Sequence, residues 1–155
     1  MIFVKNTFWL KRIVFLVSII IVSLILWNTY RFFQKFKEEE REKMKIFAAA
    51  LTELTNNEDL NTEVTFLSSI ISSNKNIPSI LTDAQGKITT HLNLDSIKAL
   101  DSLYVKKQLA LMKSENIPIE ISYQDQRKQY VYYRNSDLLY KLQYYPLALL
   151  LILGL

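Results

Sequence analysis

Four tyrosines (Tyr123, Tyr130, Tyr132 and Tyr133), the lone histidine His91 and the aspartates Asp83 and Asp95 are the residues whose types and spacing could do chemistry in this chain of 155 residues. Tyr123, Tyr130 and Tyr132, with Tyr133, could line a ligand pocket, although aromatics at alternating strand positions also form cross-strand pairs that only stabilise a sheet. His91, with an ordinary pKa near 6.5, could sense pH or could be a plain surface residue. Asp83 and Asp95 flank a hairpin, but a cation site would want more carboxylates converging, and Asp83 reads as a turn former. The chain has no cysteine, which excludes disulfides and thiolate metal sites. No motif has the geometry for catalysis; no cofactor is expected, and the chain is read as lacking a catalytic part.

These residues are positioned by a chain anchored at its start. The eighteen residues from Ile13 to Tyr30 contain no charge, no Gly and no Pro, and crossing a hydrocarbon core of roughly 30 Å takes about 20 helical residues. Phe8, Trp9 and Leu10 extend the apolar stretch past Lys11 and Arg12, whose long stems can snorkel. Trp9 at one end and Trp27 with Tyr30 at the other suit the two headgroup regions. A cleaved signal peptide is disfavoured because the apolar run leads into Trp27-Asn28-Thr29-Tyr30-Arg31 rather than into small residues. Positive charges tie across the span, with Lys5, Lys11 and Arg12 before it and Arg31, Lys35 and Lys37 after it. Residues 1–12 hold nothing folded and are expected to stay in the cytoplasm, which places the chain from residue 31 onward outside.

The net charge of +4 does not signal nucleic acid, because three of the 19 Lys and Arg precede residue 31 and leave 16 against 15 acids in the rest. Residues 31–55 are strong helix formers and continue the membrane helix. A heptad seam runs through Tyr30, Phe33, Lys37, Glu40, Met44, Phe47, Leu51 and Leu54, charged in the middle. It reads either as a weak dimer seam or as a face packed on the following domain. Residues 56–135 should form a small domain. A turn at Asn56-Asn57-Glu58-Asp59 precedes a second helix from Asn61 or Thr62 to Ser73. The segment Ser79 to His91 reads as a hairpin about Asp83-Ala84-Gln85-Gly86. Asp95 to Asn116 is helical with a break near Asp101-Ser102. Ile117 to Tyr123 and Gln129 to Arg134 form a second antiparallel pair. Ser136 caps a helix over residues 136–155, whose apolar tail from Pro146 reads as the start of a second, truncated membrane helix.

The predicted class is α+β: a transmembrane helix running into a long helix, a small antiparallel sheet with helices on one face in the manner of PAS-like or Cache-like domains, and a second anchor. The segments Ile77-Pro-Ser-Ile-Leu-Thr-Asp-Ala-Gln-Gly-Lys-Ile88, Met112-Lys-Ser-Glu-Asn-Ile-Pro-Ile-Glu-Ile121 and Tyr130-Val-Tyr-Tyr-Arg-Asn-Ser-Asp-Leu-Leu139, running on to Tyr145-Pro146, resemble the N-terminal input region of bacterial membrane-bound sensor histidine kinases. The resemblance implies a bacterial inner-membrane location, an extracytoplasmic central domain, a homodimer in contact with lipid, an unidentified stimulus ligand and a kinase core after the second span. No His box or ATP site precedes Leu155, and His91, at a strand end and followed by Leu92, is not a phospho-acceptor. The same layout suits the input part of a chemoreceptor or a cyclic-dinucleotide enzyme, or an envelope scaffold that binds a protein partner.

Overall fold

The computed structural model describes residues 3–56, 63–122 and 127–152. Tyr123, residues 57–59 of the turn expected over 56–59, residues 124–126 of the turn expected over 124–128, the expected helix start at Asn61 or Thr62 and the last three residues lie outside them. In order, the chain forms α1 (Phe3–Asn56), α2 (Glu63–Ser73), β1 (Ser79–Asp83), β2 (Ile88–Leu92), a 3-10 turn (Lys98–Leu100), α3 (Ser102–Glu115), β3 (Ile119–Ser122), β4 (Lys128–Tyr133) and α4 (Asp137–Ile152). This is the expected α+β composition. Two compact units divide it, one of residues 1–36 and 141–155, the other of residues 37–140.

The first unit contains the apolar part of α1, which is long and apolar enough to cross a membrane. Two of its hydroxyls are absorbed locally: Ser18 Oγ donates to the Val14 carbonyl and Thr29 Oγ1 to the Ile25 carbonyl, each at 2.9 Å. Such back-bonding leaves those groups without need of water. The Arg12 guanidinium lies 4.3 Å from the centre of the Phe8 ring, a cation–π contact one turn apart. α4 runs through Pro146 without interruption, although proline supplies no N–H to the helix ladder.

The second unit is built on an antiparallel sheet of four strands in the order β2-β1-β4-β3. Each hairpin pairs its own strands, and the hairpins join through β1 and β4, with Ser79 opposite Tyr133 and Leu81 opposite Val131. At the first turn Gly86 adopts φ 81°, a conformation that costs glycine little. Asp83 Oδ1 accepts from the Gln85 and Lys87 amides at 3.0 and 2.7 Å, as its reading as a turn former requires. The β3 edge carries Glu120 paired to Lys128 at 2.7 Å. The hydrogen bond from Lys128 holds the Glu120 carboxyl below its ordinary pKa. Charges on an edge strand discourage further strand pairing.

Helices cover both faces of the sheet rather than one. On the first face Met44, Phe47 and Ala48 of α1 pack with Ile77, Leu81, Ile121, Val131 and Tyr133. On the second, Val105, Leu109 and Met112 of α3 pack with Ile80, backed by Ile88, Leu94 and Tyr132. Strand alternation produces this split, since Ile80 and Leu81 are neighbours that point to opposite sides. The helical seam through Met44 and Phe47 is therefore occupied by the domain's own sheet. Charge pairing on the outer face of α1 joins Glu42 to Lys45 at 2.6 Å, an exposed pair of small worth.

Met44 is fully buried and Ile46, two residues on, is 55% exposed. Met44→Ala should cost about 2–5 kcal/mol in urea unfolding of the domain, whereas Ile46→Ala should change stability by no more than about 0.5 kcal/mol. A large loss from Ile46→Ala would mean that a partner covers the outer face of the helix.

Candidate functional site

Two features of the second unit could serve function, a polar cluster where α1, α3 and α4 meet and a groove beside α3. The cluster centres on Glu40 of α1, a carboxylate 9% exposed. The Ser136 amide donates to Glu40 Oε2 at 3.0 Å, and the Ser136 hydroxyl donates to Glu40 Oε1. Ser136 also caps α4, its Oγ accepting from the Leu139 amide at 3.3 Å. A buried anion is tolerated when it is hydrogen-bonded, and the first turn of a helix adds a favourable partial charge. Glu40 therefore acts as a second cap on α4, supplied from another helix.

Around it the end of α3 is held by the β4–α4 junction. Arg134 Nε donates to Glu115 Oε1 at 2.9 Å, and Nη1 donates to Gln108 Oε1 at 3.2 Å. The Asn135 amide donates to Glu115 Oε2 at 3.3 Å. From α1, Lys37 Nζ donates to the Glu115 carbonyl at 3.4 Å, and Arg41 Nη1 donates to the Tyr133 hydroxyl at 3.3 Å. The Asn116 side-chain amide donates to the Tyr133 carbonyl and to Asn135 Oδ1. Burial pushes the Tyr133 phenol above its ordinary value near 10.0, and the Arg41 hydrogen bond opposes part of that rise.

The groove has a volume of about 460 Å³ and lies between the β1–β2 hairpin and the start of α3. Ile88, Ala99, Leu100, Val105 and Leu109 supply its apolar walls, and Lys87, His91, Ser102 and Lys106 its polar groups. α3 is positioned there by Asp101, whose carboxylate accepts from the Leu103 amide at 2.8 Å, the break expected at Asp101-Ser102. Asp95 caps the preceding 3-10 turn through the Ile97 and Lys98 amides, and the Lys98 amide holds its carboxyl below the ordinary value.

The described tyrosines singled out by sequence divide between the two faces of β4. Tyr130 and Tyr132 share a face of β4; Tyr132 packs behind the α3 cluster with Lys113 Nζ at 5.2 Å from its ring centre. Tyr133 is buried on the opposite face. None of these three lines the groove, whereas His91, exposed on β2, does. Asp83 and Asp95 stand apart as turn and cap, and no cluster of metal-binding side chains occurs among the described residues. The Glu40–Ser136 pair was missed in the sequence. Its signal was the charge at Lys37 and Glu40 in the middle of a seam apolar at both ends.

Glu40→Ala should destabilise the domain by about 1–3 kcal/mol, because it strands the Ser136 amide and hydroxyl. Ser136→Ala should cost less, and a double-mutant cycle should give a coupling of at least about 0.5 kcal/mol; additive losses would show that the two groups act independently. Tyr133 has a raised pKa in the fold, so the stability it contributes is complete below the unfolded tyrosine value and is lost as pH rises through the folded value. Urea midpoints measured from about pH 9 to 11 should fall less steeply for Tyr133→Phe than for the parent.

No protein family, curated protein or solved structure matches this chain.

Proposed function

We propose that this chain is the signal-input region of a membrane receptor of the sensor histidine kinase type. Its α1 anchors in a bacterial inner membrane, its PAS-like domain lies outside the cytoplasm, and a homodimer carries a stimulus inward through α1 and a second span begun by α4. The observation that carries this reading is the Glu40–Ser136 contact. It joins the helix that follows the apolar segment to the first turn of the helix that leads into the second apolar run. Any rearrangement of the domain that alters this contact acts on both helices at once.

The groove and the contact lie toward opposite ends of α3. Ser102, Val105 and Lys106 line the groove, and Glu115 closes the helix against Arg134, Asn135 and Lys37. A helix of 14 residues moves as a unit, so occupation of one end can bias the other. Coupling of this kind requires a ligand with different affinities for two states.

The chain contains no cysteine, which makes single-cysteine labelling clean. In intact cells a membrane-impermeant maleimide should label Lys87→Cys, and should label Lys5→Cys only after permeabilisation. The reverse pattern would place the domain in the cytoplasm and remove the reading. Joined to a histidine-kinase core in membrane vesicles, the chain with one Gly inserted beside Glu39 should lose control of autophosphorylation. Unchanged phosphorylation would count against transmission through α1.

A further inference from the structure

The groove beside α3 carries a chemical preference of its own. Its floor is aliphatic, formed by Ile88, Val105 and Leu109, and Lys87 and Lys106 stand in its walls. No ion pair engages either lysine among the described residues. No carboxylate lines the groove. The nearest acids in sequence are already engaged: Asp83 by the Gln85 and Lys87 amides, Asp95 by the Ile97 and Lys98 amides and the Lys98 ammonium, Asp101 by the Leu103 amide. At the lip Leu100 is 87% exposed, an apolar side chain that nothing in the domain covers.

We propose that this groove binds an amphiphilic carboxylate, a small organic anion whose short hydrocarbon or aromatic body lies against Ile88, Val105 and Leu109 while its carboxylate meets Lys87 and Lys106. The identification of this ligand as the stimulus rests on the receptor reading above; the binding itself does not. The volume of about 460 Å³ falls in the usual range of small-molecule clefts, roughly 300–1,000 Å³. Two free ammonium groups repel a cationic amphiphile. A polyanion such as a sugar phosphate would set its hydroxyls against Ile88, Val105 and Leu109, which offer them no partner, whatever Lys87, His91, Ser102 and Lys106 give its phosphate. A neutral apolar molecule would leave both lysines without a counter-charge, so the anion is favoured by the difference. A single carboxylate can accept from two ammonium groups, and charge-assisted bonds of this sort are the stronger class.

The test uses the full chain in zwitterionic lipid nanodiscs with labelled Ile, Leu and Val methyl groups. Hexanoate should shift the methyl signals of Ile88, Val105 and Leu109 saturably. Hexanol and hexylammonium should bind at least about tenfold more weakly. Lys87→Gln combined with Lys106→Gln should weaken hexanoate by about tenfold and leave hexanol unchanged, with the rest of the methyl spectrum reporting an intact fold. Equal affinities for hexanoate and hexanol, or no saturable shift with hexanoate, would overturn the proposal. So would groove methyl shifts that depend on protein concentration and resist hexanoate, which would assign the groove to a second copy of the chain. If hexanoate fails while Lys87→Cys is labelled from outside, the ligand class falls and the receptor reading stands. If hexanoate binds while labelling places the domain in the cytoplasm, the receptor reading falls and the binding site stands.

Discussion

A carboxylate buried in a small domain must be surrounded by donors, and among the described residues Glu40 finds them at the start of α4. This requirement makes the polar junction a condition of the fold. Bringing Ser136 to Glu40 sets where β4 ends, and the end of β4 sets where Arg134 and Asn135 meet Glu115. The position of α3 follows from that contact together with Asp101 at its other end. Removing the carboxylate would leave a helix start without its second cap, and removing the serine would leave a buried carboxylate with fewer donors; both are costly because the two residues are buried.

The sheet divides the labour between its faces. α1 fills one with Met44, Phe47 and Ala48, and α3 fills the other with Val105, Leu109 and Met112. Because α3 is packed on the sheet only along one stripe, its first turn remains beside the groove while its last turn is tied into the junction. The two ends are linked by the stiffness of a helix and by the side chains of its buried stripe.

Much of this architecture was legible from residue patterns. The uncharged run from Ile13 to Tyr30, the Asp83 to Gly86 turn, the break at Asp101 and the cap at Ser136 each depend on local chemistry, and the structure has each where local chemistry puts it. The pairing of β1 with β4 is non-local and left no short-range signal. The covering of both sheet faces was equally hidden, because the apolar stripes of α1 and α3 do not say which side of a sheet they meet. Tyr132 and Tyr133 are adjacent, so one faces α3 and the other α1, while Tyr130 and Tyr132 lie on one face of β4. The groove was invisible because its walls come from a hairpin turn, a 3-10 turn and one helix face, consecutive elements whose mutual approach no residue pattern records.

The strand order has a kinetic corollary. β1 occupies the middle of the sheet, yet one of its neighbours is β4, the last strand to leave the ribosome. The β1–β2 hairpin can close early, but the central ladder waits until the chain through Tyr133 has emerged. Until then Met44, Phe47 and Leu81 have only part of their cover, and the open side of β1 is an unpaired edge. Non-local closure of this kind slows folding relative to helical domains of similar size. For that interval the Met44–Phe47 stripe of α1 and the inner face of the hairpin stay partly uncovered, and they are sealed only when the fourth strand of the sheet arrives.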